Sequence, residues 1–239
     1  MAVCARYRNQ VAMRAGRAHS GKGTAVRGLL CAGAVLVLAA CAGNPPPPDW
    51  QMDAKGSLER ATEAYLVGNE RIEVVEFARA RAALARTGRA DVVARAELMR
   101  CAVRVASLVF DDCPGFAALA QDASPAQQAY ADYLDGKGTA AGVALLPPAQ
   151  RDVAAVKDVA AALGRIDDPL SRLVAAGVLM RTGRAEPASM ALALETASMQ
   201  GWRRPLLAWL NVQLQRAQAA GESTEATRLR RRIDLVAGE

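Results

Sequence analysis

Histidine is nearly missing from this chain. The one histidine, His19, falls within the first forty residues, which are read below as a removable leader. The remainder therefore offers no imidazole as metal ligand, general base or partner to a nucleophilic Ser or Cys. Lysine is also scarce past the leader: Lys55, Lys137 and Lys157 stand alone, none in an S-x-x-K arrangement. No G-x-S-x-G elbow, phosphate-binding loop, dinucleotide glycine motif or H-E-x-x-H occurs. Most hydrolase, zinc and nucleotide chemistry is thereby excluded, and no catalytic residue, cofactor or metal is expected. Acids are absent from residues 1–40, which carry Arg6, Arg8, Arg14, Arg17, Lys22 and Arg27. The formal charge of +6 thus belongs to the leader, and the other 24 basic residues face 24 acids. A neutral remainder gives no support for a nucleic-acid partner.

What the leader does contain is an address. Residues 28–40 (GLLCAGAVLVLAA) form an apolar run of thirteen, too short for a bilayer span of about 20 residues and suited to the core of a secretory signal peptide. It ends in Leu38-Ala39-Ala40-Cys41, which resembles the lipobox of bacterial lipoproteins. The resemblance implies cleavage before Cys41 and acylation of that cysteine. It also implies outer-membrane delivery, because Ala42 stands where an inner-membrane protein of this class commonly has Asp. An ordinary signal peptide with an incidental cysteine is the plain alternative, and Met13 offers a second start. Gly43-Asn44 and four prolines follow, a composition that favours an extended polyproline spacer. The organisation expected is a signal peptide (1–40), a lipidated tether (41–49) and one domain (50–239).

That domain reads as all-α. It is rich in Ala, Leu, Arg and Glu and shows no alternating strand pattern. Apolar residues recur at helical spacing, as in Leu206, Leu210, Leu214 and Ala217, or Leu98, Ala102, Val105 and Val109. Gly68, Gly88, Gly136, Gly183 and Gly221 fall where helices would close. Asp168-Pro169 and Pro147-Pro148 open helical segments, the second running to Leu163. Eight to eleven helices are expected.

Arg86-Thr87-Gly88-Arg89-Ala90 recurs as Arg181-Thr182-Gly183-Arg184-Ala185, and three turn glycines have alanine five residues on: Ala141, Ala188 and Ala226. This pattern resembles the tetratricopeptide repeat, with Phe77 and Ala80 at matching places and Glu73 where the repeat prefers alanine. The resemblance implies antiparallel helical hairpins stacked as a degenerate TPR-like solenoid. The turn glycines are 20, 48, 47 and 38 residues apart, unlike a steady repeat of about 34, and an irregular helical bundle is the alternative.

Candidate sites are few. Asp111-Asp112 and Asp167-Asp168 are paired acids, though neighbours in sequence rarely share a cleft and Asp168 has a capping role. Glu97 or Glu195 is the candidate acid if the protein cleaves glycans. Trp202 and Trp209 pack between helices or form an aromatic lip on a partner groove. Arg228, Arg230, Arg231 and Arg232 surround a solvated last helix or meet anionic head groups. In an oxidising compartment Cys101 and Cys113, the cysteines left besides Cys41, are expected to pair if the helix through Cys101 ends early enough to turn back; two buried thiols are the alternative. Address and shape together suggest a lipid-anchored, non-catalytic scaffold or adaptor in envelope assembly, with an envelope protein as partner. A cell-wall enzyme and a purely structural lipoprotein are the competing classes.

Overall fold

The structure, a computed structural model, describes residues 47–238. The expected signal peptide, Cys41 and most of the expected tether lie outside the described residues. Among those described, the chain is all-α: twelve α-helices and one 3-10 turn, with no strand. The helices are α1 (Asp49–Leu66), α2 (Glu70–Ala85), α3 (Ala90–Ala106), α4 (Pro114–Ala117), α5 (Pro125–Leu134), α6 (Ala140–Val143), α7 (Pro148–Ala154), α8 (Val159–Gly164), α9 (Pro169–Arg181), α10 (Pro187–Gln200), α11 (Arg203–Ala219) and α12 (Ser223–Ala237). None is long and apolar enough to cross a membrane.

Local chemistry sets many of the boundaries. The five turn glycines all hold positive φ, from +67° to +86°, a region closed to most side chains. Asp168 caps α9, accepting from the Ser171 N–H at 2.7 Å, and Ser124 forms a capping box with Gln127 at α5. The two copies of the Arg-Thr-Gly-Arg-Ala motif share their first turn, with Thr87 Oγ1 donating to the Leu84 carbonyl and Thr182 Oγ1 to that of Val178. They then diverge: α3 starts at Ala90, whereas the chain after Ala185 waits for Pro187.

Four expectations are corrected. The segment opened by Pro148 breaks after Ala154, because Asp158 caps a new helix through the Ala161 N–H at 3.1 Å. Short helices of this kind raise the number to twelve. Val109 leaves the α3 stripe and is exposed, since α3 stops at Ala106 and Leu108 turns the chain at φ +59°. Of the three repeat alanines only Ala226 is buried; Ala141 and Ala188 are exposed, and Ser189 takes the buried place beside the latter.

The long helices form sequential pairs, α1 with α2 and α11 with α12, while α3 and α9, which are far apart in the chain, pack against each other. Leu173 to Leu179 in α9 are buried without a break, the mark of a helix covered on every side. Its approach to α3 depends on Gly177, where a β-carbon would clash with the Val105 carbonyl. Two ties bring α11 across to the first hairpin and α3. Arg204 Nε donates to the Tyr65 carbonyl at 2.9 Å, and Trp209 Nε1 to that of Ala106 at 3.3 Å.

Candidate functional site

Helix α2 is built the wrong way round for a surface helix. Glu73 and Glu76 are buried, at 4% and 7% exposure, while Val74 and Val75 stand 51% and 46% exposed. Position along the helix accounts for this: Glu73, Glu76, Phe77, Ala80, Ala83 and Leu84 recur at three- and four-residue steps and share the inward arc. Phe77, Ala83 and Leu84 join a small apolar core with Ala54, Ala61, Val93 and Ala96 of α1 and α3. Burying these residues carries the intervening glutamates in with them.

Carboxylates are almost never fully buried unless paired, and arginines meet each of these. Arg100 of α3 grips Glu73 with two N–H groups, Nε to Oε1 at 2.7 Å and Nη2 to Oε2 at 3.3 Å, while its guanidinium lies 4.6 Å from the Phe77 ring centroid. Glu76 accepts from Arg60 Nε at 2.9 Å and from Arg79 Nη1 at 2.6 Å. On α3, Glu97 accepts from Arg81 Nε at 2.9 Å. Its other oxygen occupies the space that a β-carbon at Gly115 would need, so the loop after the disulfide packs directly onto this carboxylate. Arg104 Nη1 reaches Asp111 at 3.0 Å on that loop.

The hydrogen bond from Arg60, followed by the charges of Arg60 and Arg79, holds the Glu76 carboxyl below its ordinary value. A carboxyl depressed in the folded state stabilises the fold above the unfolded pKa of about 4.3, and that contribution disappears as the pH falls through the folded value. Glu76→Gln is therefore expected to flatten the acid limb of a Tm-against-pH profile relative to the parent. Parallel acid limbs would show that this ion pair does not contribute.

Two grooves run beside α2. One, of about 490 Å³, is lined by Val74, Phe77, Ala78 and by Arg81, Arg100 and Arg104, with the disulfide and Pro114 at its far wall. The other, of about 690 Å³, lies towards α1 and is lined by Arg60, Arg79 and Arg86 together with Asp53 and Ala82.

The residues singled out in the sequence fall in different places. Cys101 and Cys113 are joined, with Cα atoms 5.8 Å apart, after the turn at Leu108 has reversed the chain. With Asp111 they also form a cluster of metal-ligating residue types, but both sulfurs are already bonded to each other and neither is the thiolate a metal takes. Trp209 is fully buried, so the aromatic lip of Trp202 and Trp209 is corrected. The indole fills the junction of α11 with α3, and Trp202 is a half-buried residue at the start of α11 packed near Tyr65 and Leu66. Asp168 is the cap described above and Asp111 an arginine partner; neither pair forms a two-carboxylate cleft. Glu97 is buried but paired, and Glu195 is exposed. Arg228 is held by Glu225 through two bonds of 2.7 Å, while Arg230 and Arg231 stay exposed.

The face around α2 escaped sequence reasoning. Its one local signal was glutamate where a repeat alanine was expected. Comparison with protein-family models, with curated proteins and with solved structures returned no match.

Proposed function

We propose that this chain is an outer-membrane-anchored periplasmic lipoprotein that acts as a non-catalytic scaffold or adaptor in cell-envelope assembly. The location rests on Leu38-Ala39-Ala40-Cys41 at the end of the apolar run, and the tether on the prolines that follow. The adaptor role is carried by one observation: the three buried carboxylates among the described residues, Glu73, Glu76 and Glu97, are all tied to arginines. An acid that protonates a glycosidic oxygen has to present its carboxyl to the substrate, and each of these carboxyls is already engaged by a guanidinium. Such pairs suit a rigid surface better than a proton relay. We read the fold as a degenerate TPR-like helical-repeat domain, supported by the α1–α2 and α11–α12 hairpins, the positive-φ turns and the burial of Phe77, Ala80 and Ala226. The packing of α3 on α9 departs from nearest-neighbour stacking, in keeping with a degenerate repeat.

Cys41→Ser is expected to block acylation, to leave unprocessed precursor and to remove the protein from the outer-membrane fraction, as followed by fractionation and immunoblotting. A mutant protein of mature size in that fraction would overturn the lipid anchor. Release of soluble muropeptides from purified cell wall by the parent protein would replace the adaptor by a cell-wall enzyme.

A further inference from the structure

The outward arc of α2 is a ridge of small and apolar side chains with arginines along both sides. Val75, Ala78, Ala82 and Ala85 follow one another at three- and four-residue steps and all are exposed. Arg79 and Arg86 lie to one side of that stripe, over the groove shared with Arg60; Arg81 lies to the other, over the groove shared with Arg100 and Arg104. Residues 70–106 contain eight arginines and five acids, and three of those acids are the buried glutamates. The buried carboxylates lie beneath the arginines they pair with, so guanidinium groups rather than carboxylates edge most of the ridge, Asp53 beside Arg86 at 3.8 Å being the exposed acid of the α1 groove. Donors are left over as well. Arg81 uses only Nε on Glu97, and Arg104 only Nη1 on Asp111, whereas each guanidinium carries five N–H donors in a fixed fork.

We infer that this ridge is a docking site for an amphipathic helix of a partner protein, one with an apolar stripe flanked on both sides by Asp or Glu. The inference rests on the adaptor reading and deepens it. Alanines at Ala78, Ala82 and Ala85 let a second helix axis approach closely, as small residues do wherever helices pack tightly. Arginine rows on both flanks match carboxylates on both flanks of the incoming helix and reject a basic one. The buried glutamates hold the guanidinium stems in place before the partner arrives, which lowers the ordering cost of binding. A flat anionic surface such as a membrane would meet the arginines but leave the recessed grooves beside the ridge unfilled; a partner helix places side chains into both.

The test is a photocrosslinking amino acid placed in the full chain in cells, at Ala82 on the ridge and at Leu235, an 80% exposed position on α12. The Ala82 probe is expected to capture a protein, and mass spectrometry of the crosslinked peptide is expected to show a helical segment with acids flanking an apolar stripe. Its yield should fall at least tenfold in Arg71→Glu/Arg86→Glu, Arg71 being the exposed residue one turn before Val75 on the ridge and Arg86 the exposed arginine over the α1 groove, neither of which holds a buried glutamate, with an unchanged circular dichroism spectrum. Capture at Ala82 of a lipid, of a second copy of this chain or of a segment without acids would overturn the proposal, as would a yield indifferent to the charge reversal. Capture of protein from Leu235 but none from Ala82 would sink the ridge and leave the adaptor reading standing. Silence at both positions counts against both.

Discussion

Trp209→Ala is expected to destabilise the protein by about 4 kcal/mol, the middle of the range for removing a buried tryptophan. The side chain is fully buried, and its volume fills the junction where α11 meets the end of α3. It also has a polar task. Ala106 is the last residue of α3, so its carbonyl is one of those that the helix cannot satisfy internally, and Trp209 Nε1 donates to it at 3.3 Å. Trp209→Phe keeps most of the apolar bulk and loses the donor, so a smaller cost of about 1–2 kcal/mol is expected. Urea titrations followed by circular dichroism separate the two terms, with midpoints in the order parent, Phe, Ala. A midpoint unmoved by the alanine variant would mean that the indole is not buried between these helices. The same variants bear on architecture, since α11 is held to the first hairpin by Arg204 and to α3 by Trp209.

How far the structure was legible beforehand depends on whether the cause was local. The turn glycines, the Asp168 cap and the stripe of Leu206, Leu210, Leu214 and Ala217 are set by successive residues about one helical turn apart, and each reads directly from spacing. The break after Ala154 was legible in principle, because Asp158 is a good capping residue, but apolar periodicity continues across it and hides it. The inverted face of α2 was not legible. Its glutamates are buried because Arg60 and Arg100 come from helices 16 and 27 residues away, and no window along the chain contains both the acid and its distant partner. The local signal was Glu73, standing where the repeat prefers alanine. Trp209 shows the same limit: seven-residue spacing places it on the side of the helix near Trp202, but whether that side meets solvent is decided by α3, a hundred residues earlier.

Replacing Cys101 and Cys113 together by alanine is expected to cost about 3 kcal/mol, the loop-entropy value for a cross-link of this size. The bridge spans twelve residues: it ties the end of α3, Cys101 to Ala106, to a stretch from Ser107 to Cys113 that has no helix of its own before the short α4. Without the bridge the unfolded chain gains freedom, and the folded loop is left to Arg104 on Asp111 and to the contact of Gly115 with Glu97. For a domain of this size about 3 kcal/mol corresponds to a fall of about 6–12 °C in Tm, read by thermal unfolding under non-reducing conditions. Adding a reductant should lower the parent by a similar amount and leave the double variant where it is. Gly115→Ala, which forces the loop away from Glu97 while keeping both cysteines, should lose stability without losing its response to reductant. Mass spectrometry supplies the direct check on chain exported to an oxidising compartment: two thiols that alkylate freely before reduction would show that the bridge does not form, and the parent and double variant would then melt together.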